Sequence, residues 1–282
     1  MKTFRRLLYT FLFAGILVLA SAAPFSVSGQ DGSIIVYGDS RHGHDTHRNI
    51  VSAIMVEHPR AVFHTGDYVT TPDKEDQWDT FFDIITPLCD IAPFYPVRGN
   101  HDGAGAPFAS RFAIPGGVTW YAVEFSDMRF LVLDSNDSLS PESPQYQWLV
   151  DALSSPENDG RYLCVVLHHP IYNSSGGGHT EDEKGLIPHI EPLLVAHGVD
   201  LVFAGHVHTY ERLEKDGVTY LITGGGGAGL YSQTERSEQS ILYVMKNHYV
   251  RLSTEADGLR VEAIAIDGSI IDSFTIIGEQ AK

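Results

Sequence analysis

Short apolar runs and amphipathic stretches alternate along most of this chain. Ser33-Ile-Ile-Val-Tyr37 and Ala61-Val-Phe-His64 are apolar nearly throughout, rich in β-branched residues and too short for helices. They predict strands buried on both faces. Between them, residues 45–58 carry Ile50, Val51, Ile54 and Met55 at helical spacing, and Pro59 closes the segment. Trp78, Phe81, Phe82 and Ile85 recur every three to four residues and predict a second helix over 75–90. Phe94-Tyr-Pro-Val97 is a third extended run. Residues 120–125 and 129–134 flank Ser126-Asp127-Met128 as a hairpin. A helix is expected from Pro144 to Leu153, a buried strand over 161–167, and a helix carrying Ile187, Ile190, Leu193 and Leu194. Leu201-Val-Phe-Ala204 and Val218-Thr-Tyr-Leu-Ile222 are further strands. Asp257-Gly258 and Asp267-Gly268 separate alternating runs and predict a closing β-meander.

The residues that end these strands carry the chemistry. Gly38-Asp39, Gly66-Asp67, Gly99-Asn100-His101-Asp102 and Gly205-His206-Val-His208 each follow an extended run, and 161–167 runs into His168-His169. Glycine lets the backbone turn sharply or approach a ligand closely. Polar groups gathered at strand ends, with helices between the strands, describe an α/β sheet carrying a site on its carboxyl edge. Neutral imidazole is a favoured transition-metal ligand, yet side chains at i and i+2 of extended backbone face opposite ways. His206 and His208 therefore suit two neighbouring ions better than one. The glycines at 224–227 predict a tight loop beside the site; no helix pattern or Lys-Ser/Thr follows, as a phosphate-binding P-loop would need.

At 282 residues, with no internal repeat or low-complexity linker, the chain fits one large domain. Residues 1–22 read as a signal peptide, with a basic start through Arg6, apolar Leu7 to Ala20, and small Ala20-Ser21-Ala22 for cleavage. Fourteen apolar residues would make a helix of about 21 Å, short of a bilayer core of about 30 Å. The expected location is secreted, periplasmic or extracellular, with residues 23–282 as the domain and no stable membrane partner. The formal charge of −17 argues against nucleic acid as a partner, because such binding needs a basic footprint. It also means that a phosphate site must concentrate positive charge locally. Cys89 and Cys164 lack metal or redox spacing, and Cys164, inside an apolar run, is expected as a free buried thiol.

Taken in order, Gly-Asp39, Gly-Asp67, Gly-Asn100-His101-Asp102, His168-His169-Pro-Ile-Tyr172 and Gly-His206-Val-His208 resemble the motifs of the calcineurin-like metallophosphatase superfamily. His168-x-Pro-x-Tyr172-Asn173, Gly-His-Val-His-Thr-Tyr-Glu-Arg and Phe-Leu-Val-Leu-Asp134-Ser-Asn are similar to its purple acid phosphatase branch. The resemblance spans roughly residues 33–228. It implies a four-layer α/β/β/α sandwich with two metal ions, zinc, manganese or iron. Carried over by position, Asp39 and His208 would hold the first ion, Asn100, His168 and His206 the second, and Asp67 both. The implied activity is hydrolysis of small phosphate monoesters by a metal-bound hydroxide. A phosphodiesterase or nucleotidase on the same scaffold, or a non-catalytic exported metal- or phosphate-binding protein, are the alternatives.

The chain departs from that pattern at the first ion. The purple branch carries tyrosine three residues after the bridging aspartate, where this chain has Thr70. The wider superfamily often has Asp-x-His at the first motif, where this chain has Arg41. His47 is the expected substitute ligand, with His42 and His44 behind it. The resemblance assigns His101, and by position His179, to the substrate and to protonation of the leaving group, a task suited to imidazole. Arg41, Asn100 and His101 are expected to face the substrate; Arg41 is free either to bind phosphate oxygens or to pair with Asp102. His169 is expected to pack behind His168, and Asp102 to organise its turn.

Overall fold

The computed structural model describes residues 25–26, 32–174 and 176–277, in which two sheets face one another; the expected leader lies outside these residues. The larger sheet contains β1 (Phe25–Ser26), β5 (Tyr121–Glu124), β6 (Met128–Val132), β7 (Tyr162–Val166), β8 (Leu201–Ala204), β10 (Val218–Thr223), β9 (Tyr210–Lys215) and β11 (Ser240–Val244), in that spatial order. The smaller sheet places the meander of β14 (Ile270–Ile276), β13 (Gly258–Ala265) and β12 (His248–Glu255) beside β2 (Ile34–Tyr37), β3 (Ala61–His64) and β4 (Phe94–Pro96). β2, β3 and β4 are parallel, as are β6, β7, β8 and β10. Both parallel blocks therefore bring the carboxyl ends of successive strands to one edge.

The layering follows from period-two alternation. Phe130, Val132, Cys164, Val166 and Phe203 belong to the core shared with the smaller sheet. The intervening Leu131, Leu133, Leu163, Val165 and Val202 pack with Leu149 and Leu153 of α4 (Pro144–Leu153) and Leu194 of α5 (Glu191–Ala196). Phe63 stacks on Phe130 between the sheets, ring centres 4.3 Å apart. Helices α1 (His44–Val56) and α2 (Glu75–Cys89) add Ile50, Ile54, Trp78 and Phe81 to the first core. The result is the expected α/β/β/α sandwich. A short α3 (Gly105–Arg111) lies between β4 and β5.

Helix α4 starts at Pro144, with the Ser143 hydroxyl accepting the Tyr146 N–H as its cap. Helix α5 is shorter than its apolar spacing predicts. It begins only at Glu191, because Pro188 cannot donate a helical hydrogen bond and Pro192 fits only the first turn. Strand β9 escapes an apolar pattern search, since Glu211, Arg212, Glu214 and Lys215 make up most of it. Cys89 and Cys164 are both free, and Cys164 is buried as expected.

His47 is packed in the core rather than brought to the strand ends. It is buried in α1, its Nε2 is 3.1 Å from the Tyr37 hydroxyl, and its ring stacks on Phe81. Its expected role as a substitute ligand is therefore corrected: an amphipathic helix turned this position inward. Burial, then the nearby His44 and Arg48, lower its pKa from the ordinary 6.5 to about 3. The unfolded chain thus takes up a proton there at higher pH than the folded one. Stability present above pH 6.5 is lost as the pH falls toward the folded value. His47→Gln should reduce the stability difference between about pH 7.5 and pH 4.5 by on the order of 2 kcal/mol, read from urea unfolding. An unchanged acid limb would contradict this.

Candidate metal centre

Three of the residues at the strand ends adopt backbone conformations that L-residues seldom take. Asp39, Asp67 and His206 have φ of 61°, 61° and 69°. Such strain persists where surrounding structure enforces it, and it clusters at functional sites. Here the enforcement is a set of cross-loop hydrogen bonds. The Asp39 N–H donates to the Gly66 carbonyl (2.9 Å), those of Ser40 and Arg41 donate to the Asp67 carbonyl, and the Gly205 N–H donates to the His168 carbonyl (3.0 Å). The Asp102 carboxylate accepts from the N–H groups of Asp67, Tyr68 and Gly99 at 2.6–2.9 Å, which makes it the organiser of two loops. Arg98 fastens the same segment to the end of β6 by an ion pair with buried Asp134 (2.6 Å).

Glycine is needed where these loops meet. A Cβ on Gly66, whose φ is +104°, would lie 2.7 Å from both the Gly99 nitrogen and His168 Nδ1. One on Gly205 would run into the Asp39 carboxylate and lie 2.7 Å from Thr65 Oγ1. The glycines at 224–227 do sit beside the site: the Gly226 N–H donates to the Gly38 carbonyl, and the Ala228 N–H to that of Asp39.

The side chains so placed form two donor groups. In one, Asn100 Oδ1 lies 2.8 Å from His168 Nε2 and 3.0 Å from His206 Nδ1, the two nitrogens are 3.2 Å apart, and Asp67 Oδ1 is 3.4 Å from His168 Nε2. The far side of each ring fixes its tautomer. His168 Nδ1 faces the Thr65 carbonyl at 2.8 Å and must donate to it. His206 Nε2 faces Glu183 Oε2 at 3.0 Å and does the same. The inward nitrogens then carry lone pairs, so three acceptors and a carboxylate converge with no proton among them. Burial holds the imidazoles of His168 and His206 down to about 3, in the neutral form that a metal requires. Acceptors separated by about 3 Å match ligands around a cation bound at roughly 2.0–2.2 Å. A metal ion fits this group.

The other group contains Asp39, Asp67 and His208. Burial and the adjacent Asp67 hold the Asp39 carboxyl well above the usual carboxylate range. His208 Nδ1 donates to the Gly229 carbonyl (2.7 Å), leaving Nε2 as an acceptor 3.6 Å from Asp39 Oδ1. Arg41 enters this space. Its Nε is 3.2 Å from Asp67 Oδ2, and its terminal nitrogen donates to His208 Nε2 at 3.4 Å. Arg41 thus pairs with Asp67, while Asp102 is occupied by backbone donors.

Around these groups, the His101 N–H donates to Asp67 Oδ1 and its Nδ1 engages the Thr70 carbonyl at 3.0 Å. The position that lacks the expected tyrosine side chain thus orients His101 through its backbone. His179 lies over His206, ring centres 4.1 Å apart. His169 is buried, with Nδ1 held 2.8 Å from the Ser135 hydroxyl and its ring against His206. His42 is exposed and His44 half-buried at the start of α1.

Two residues of the centre were not singled out from sequence. Glu183 bridges His179 Nδ1 (3.1 Å) and His206 Nε2 (3.0 Å), and Tyr231 stacks on His208 with ring centres 4.2 Å apart. Glu183 stands four residues after His179, a spacing that was legible; Tyr231 carries no local signal. Removing an oriented partner of a ligating histidine typically costs 10–100-fold in metal affinity. Glu183→Ala should accordingly raise the zinc dissociation constant by about that factor. Titration against a competing chelator reads this out, and wild-type affinity would contradict the assignment.

The family model for calcineurin-like phosphoesterases matches residues 32–210, more than half of the chain and nearly all of this centre. The chain belongs to the calcineurin-like phosphoesterase family. Among curated relatives of this family, purple acid phosphatase 18 of Arabidopsis thaliana is 32% identical over 165 residues, covering 53% of this chain and 38% of that protein. A nucleotide pyrophosphatase/phosphodiesterase of Hordeum vulgare is 25% identical over 262 residues, covering 76% of this chain and 71% of that protein. The chain thus spans well under half of the first of these relatives. Among solved structures, a purple acid phosphatase from yellow lupin (Lupinus luteus) seeds superposes with a TM-score of 0.77 at 22% identity, covering 88% of this chain and 54% of that one. At that identity the likeness concerns the fold, and it agrees with the sandwich described above.

Proposed function

We propose that this protein is a metal-dependent phosphoesterase acting foremost on small phosphate monoesters, and that it is exported. The observation that carries the reading is the convergence of Asn100 Oδ1, His168 Nε2 and His206 Nδ1 within 3.2 Å of one another beside Asp67. Without a cation their lone pairs repel. A metal ion held by these four residues would supply Lewis acidity, acidifying water and neutralising charge on a phosphoryl oxygen.

The remaining chemistry belongs to the chain. The Thr70 carbonyl accepts the His101 Nδ1 proton, so Nε2 is the nitrogen that would carry the second proton of the imidazolium form and give it to a departing alkoxide. His179, tied to Glu183 and lying over His206, would be the second histidine to meet the substrate. The Arg41 guanidinium offers planar N–H donors suited to phosphoryl oxygens. Ser135, which holds His169, also lines a cavity of 380 Å³ with Lys184 and His189, which would offer room to a leaving group.

The likeness to the barley nucleotide pyrophosphatase/phosphodiesterase, which spans most of both chains, favours a second reading in which the substrate is a nucleotide diester or anhydride. Lys184 and His189 in the cavity would suit a leaving group carrying further phosphate. The expected result is metal-dependent hydrolysis of p-nitrophenyl phosphate with kcat/KM above that for bis(p-nitrophenyl) phosphate. The reverse order would select the diesterase. No turnover of either with zinc, manganese or iron, while metal still binds, would make this a binding protein. Export rests on the basic, apolar and Ala-Ser-Ala sequence of residues 1–22. N-terminal sequencing of protein recovered outside the cytoplasm should begin near Ala23; recovery of an intact Met1 would oppose cleavage.

A further inference from the structure

The two donor groups differ in what fills them. In the Asn100 group every inward atom is an acceptor, and only a cation from outside can satisfy it. In the Asp39 group the chain brings its own. The guanidinium of Arg41 lies against Asp67 Oδ2 at 3.2 Å and His208 Nε2 at 3.4 Å. Tyr231 in turn stacks on His208, and its N–H donates to the His208 carbonyl. The arginine is therefore held between Asp67 and His208, and its side chain is only 13% exposed.

We infer that Arg41 is the resident cation of the Asp39–Asp67–His208 group, so that this protein binds one metal ion tightly, at Asp67, Asn100, His168 and His206, rather than two. Three further observations agree. Thr70 supplies no side-chain ligand to the first position, and its carbonyl is engaged by His101. His47 is in the core, bonded to Tyr37. The remaining donors are two carboxylates and one imidazole, one of those carboxylates shared with the other group. A guanidinium cannot be deprotonated near neutrality, so a metal can enter only by expelling a charged, hydrogen-bonded group. Among the described residues, it would then have Asp39, Asp67 and His208 as side-chain ligands. The inference rests on the metal-centre reading but not on catalysis.

The test counts metal in the absence of substrate. Chelator-stripped protein is dialysed against micromolar free zinc and, separately, manganese, and bound metal is measured by plasma mass spectrometry. One equivalent is expected for the wild type. Arg41→His, which removes the tethered cation and restores an imidazole, should bind two, with second-equivalent affinity at least about tenfold above any residual wild-type value. His208→Ala should retain the single equivalent, whereas His206→Ala should lose it. Two equivalents of similar affinity in the wild type, or loss of the single equivalent in His208→Ala, would overturn the inference while leaving a metal-dependent phosphoesterase intact. No bound metal at all would overturn both. Since the wild-type count decides the matter, the test does not depend on a variant folding. One equivalent without phosphatase turnover would uphold the inference and sink only the proposed activity.

Discussion

Asp67→Asn is expected to lower kcat/KM for a phosphate monoester by at least about a thousandfold, equivalent to about 4 kcal/mol of transition-state stabilisation. The size of the effect follows from how completely this carboxylate is used. Its Oδ1 accepts the His101 N–H at 3.1 Å and lies 3.4 Å from His168 Nε2, while Oδ2 meets Arg41 at 3.2 Å. One side chain therefore serves the metal group, the histidine assigned to the leaving group, and the guanidinium. Asparagine keeps the shape but removes the charge that a cation needs, and it can set an N–H₂ against Arg41 or His168. Kinetics should be paired with metal analysis and thermal unfolding, so that loss of fold is separated from loss of site. A variant that turned over at the parent's rate with its metal still bound would show that the chemistry lies elsewhere.

Metal removal should have the largest effect on stability. Because the folded chain presents converging acceptors and the unfolded chain does not, binding is linked directly to folding. Free metal at a thousandfold excess over its dissociation constant would stabilise the protein by about 4 kcal/mol, or roughly 8–16 °C in Tm. Chelation should remove that increment and zinc should restore it, as followed by thermal unfolding near neutral pH. The increment should shrink in acid, since protons compete for the inward nitrogens of His168 and His206. A melting temperature indifferent to chelator would mean that these acceptors are met some other way.

Much of this was legible because it is local. Apolar runs of four or five residues between amphipathic stretches identified the parallel strands, and the turns at Asp257-Gly258 and Asp267-Gly268 identified the meander. Failures occurred where local pattern and packing diverge. Proline in 186–192 truncated a helix whose apolar spacing looked longer, and the charges of β9 hid a strand. His47 carries the same chemistry as a ligand histidine, and only its place on the inward face of α1 shows it to be a core residue. Glu183 was passed over because a carboxylate in an acidic loop is ordinarily solvated; its meaning comes from His206, which no short-range pattern links to it.

By itself the sequence determined the alternation of strands and helices and the identity of the residues at the strand ends, because hydrophobic periodicity and glycine punctuation act over a few residues. The tertiary structure decided which nitrogen of each histidine faces inward, that Asp102 ties two loops together, and that Arg41 lies between Asp67 and His208. Those outcomes depend on distances of a few ångströms between groups as far apart in the chain as Arg41 and His208. Only the packing of two sheets face to face sets such distances.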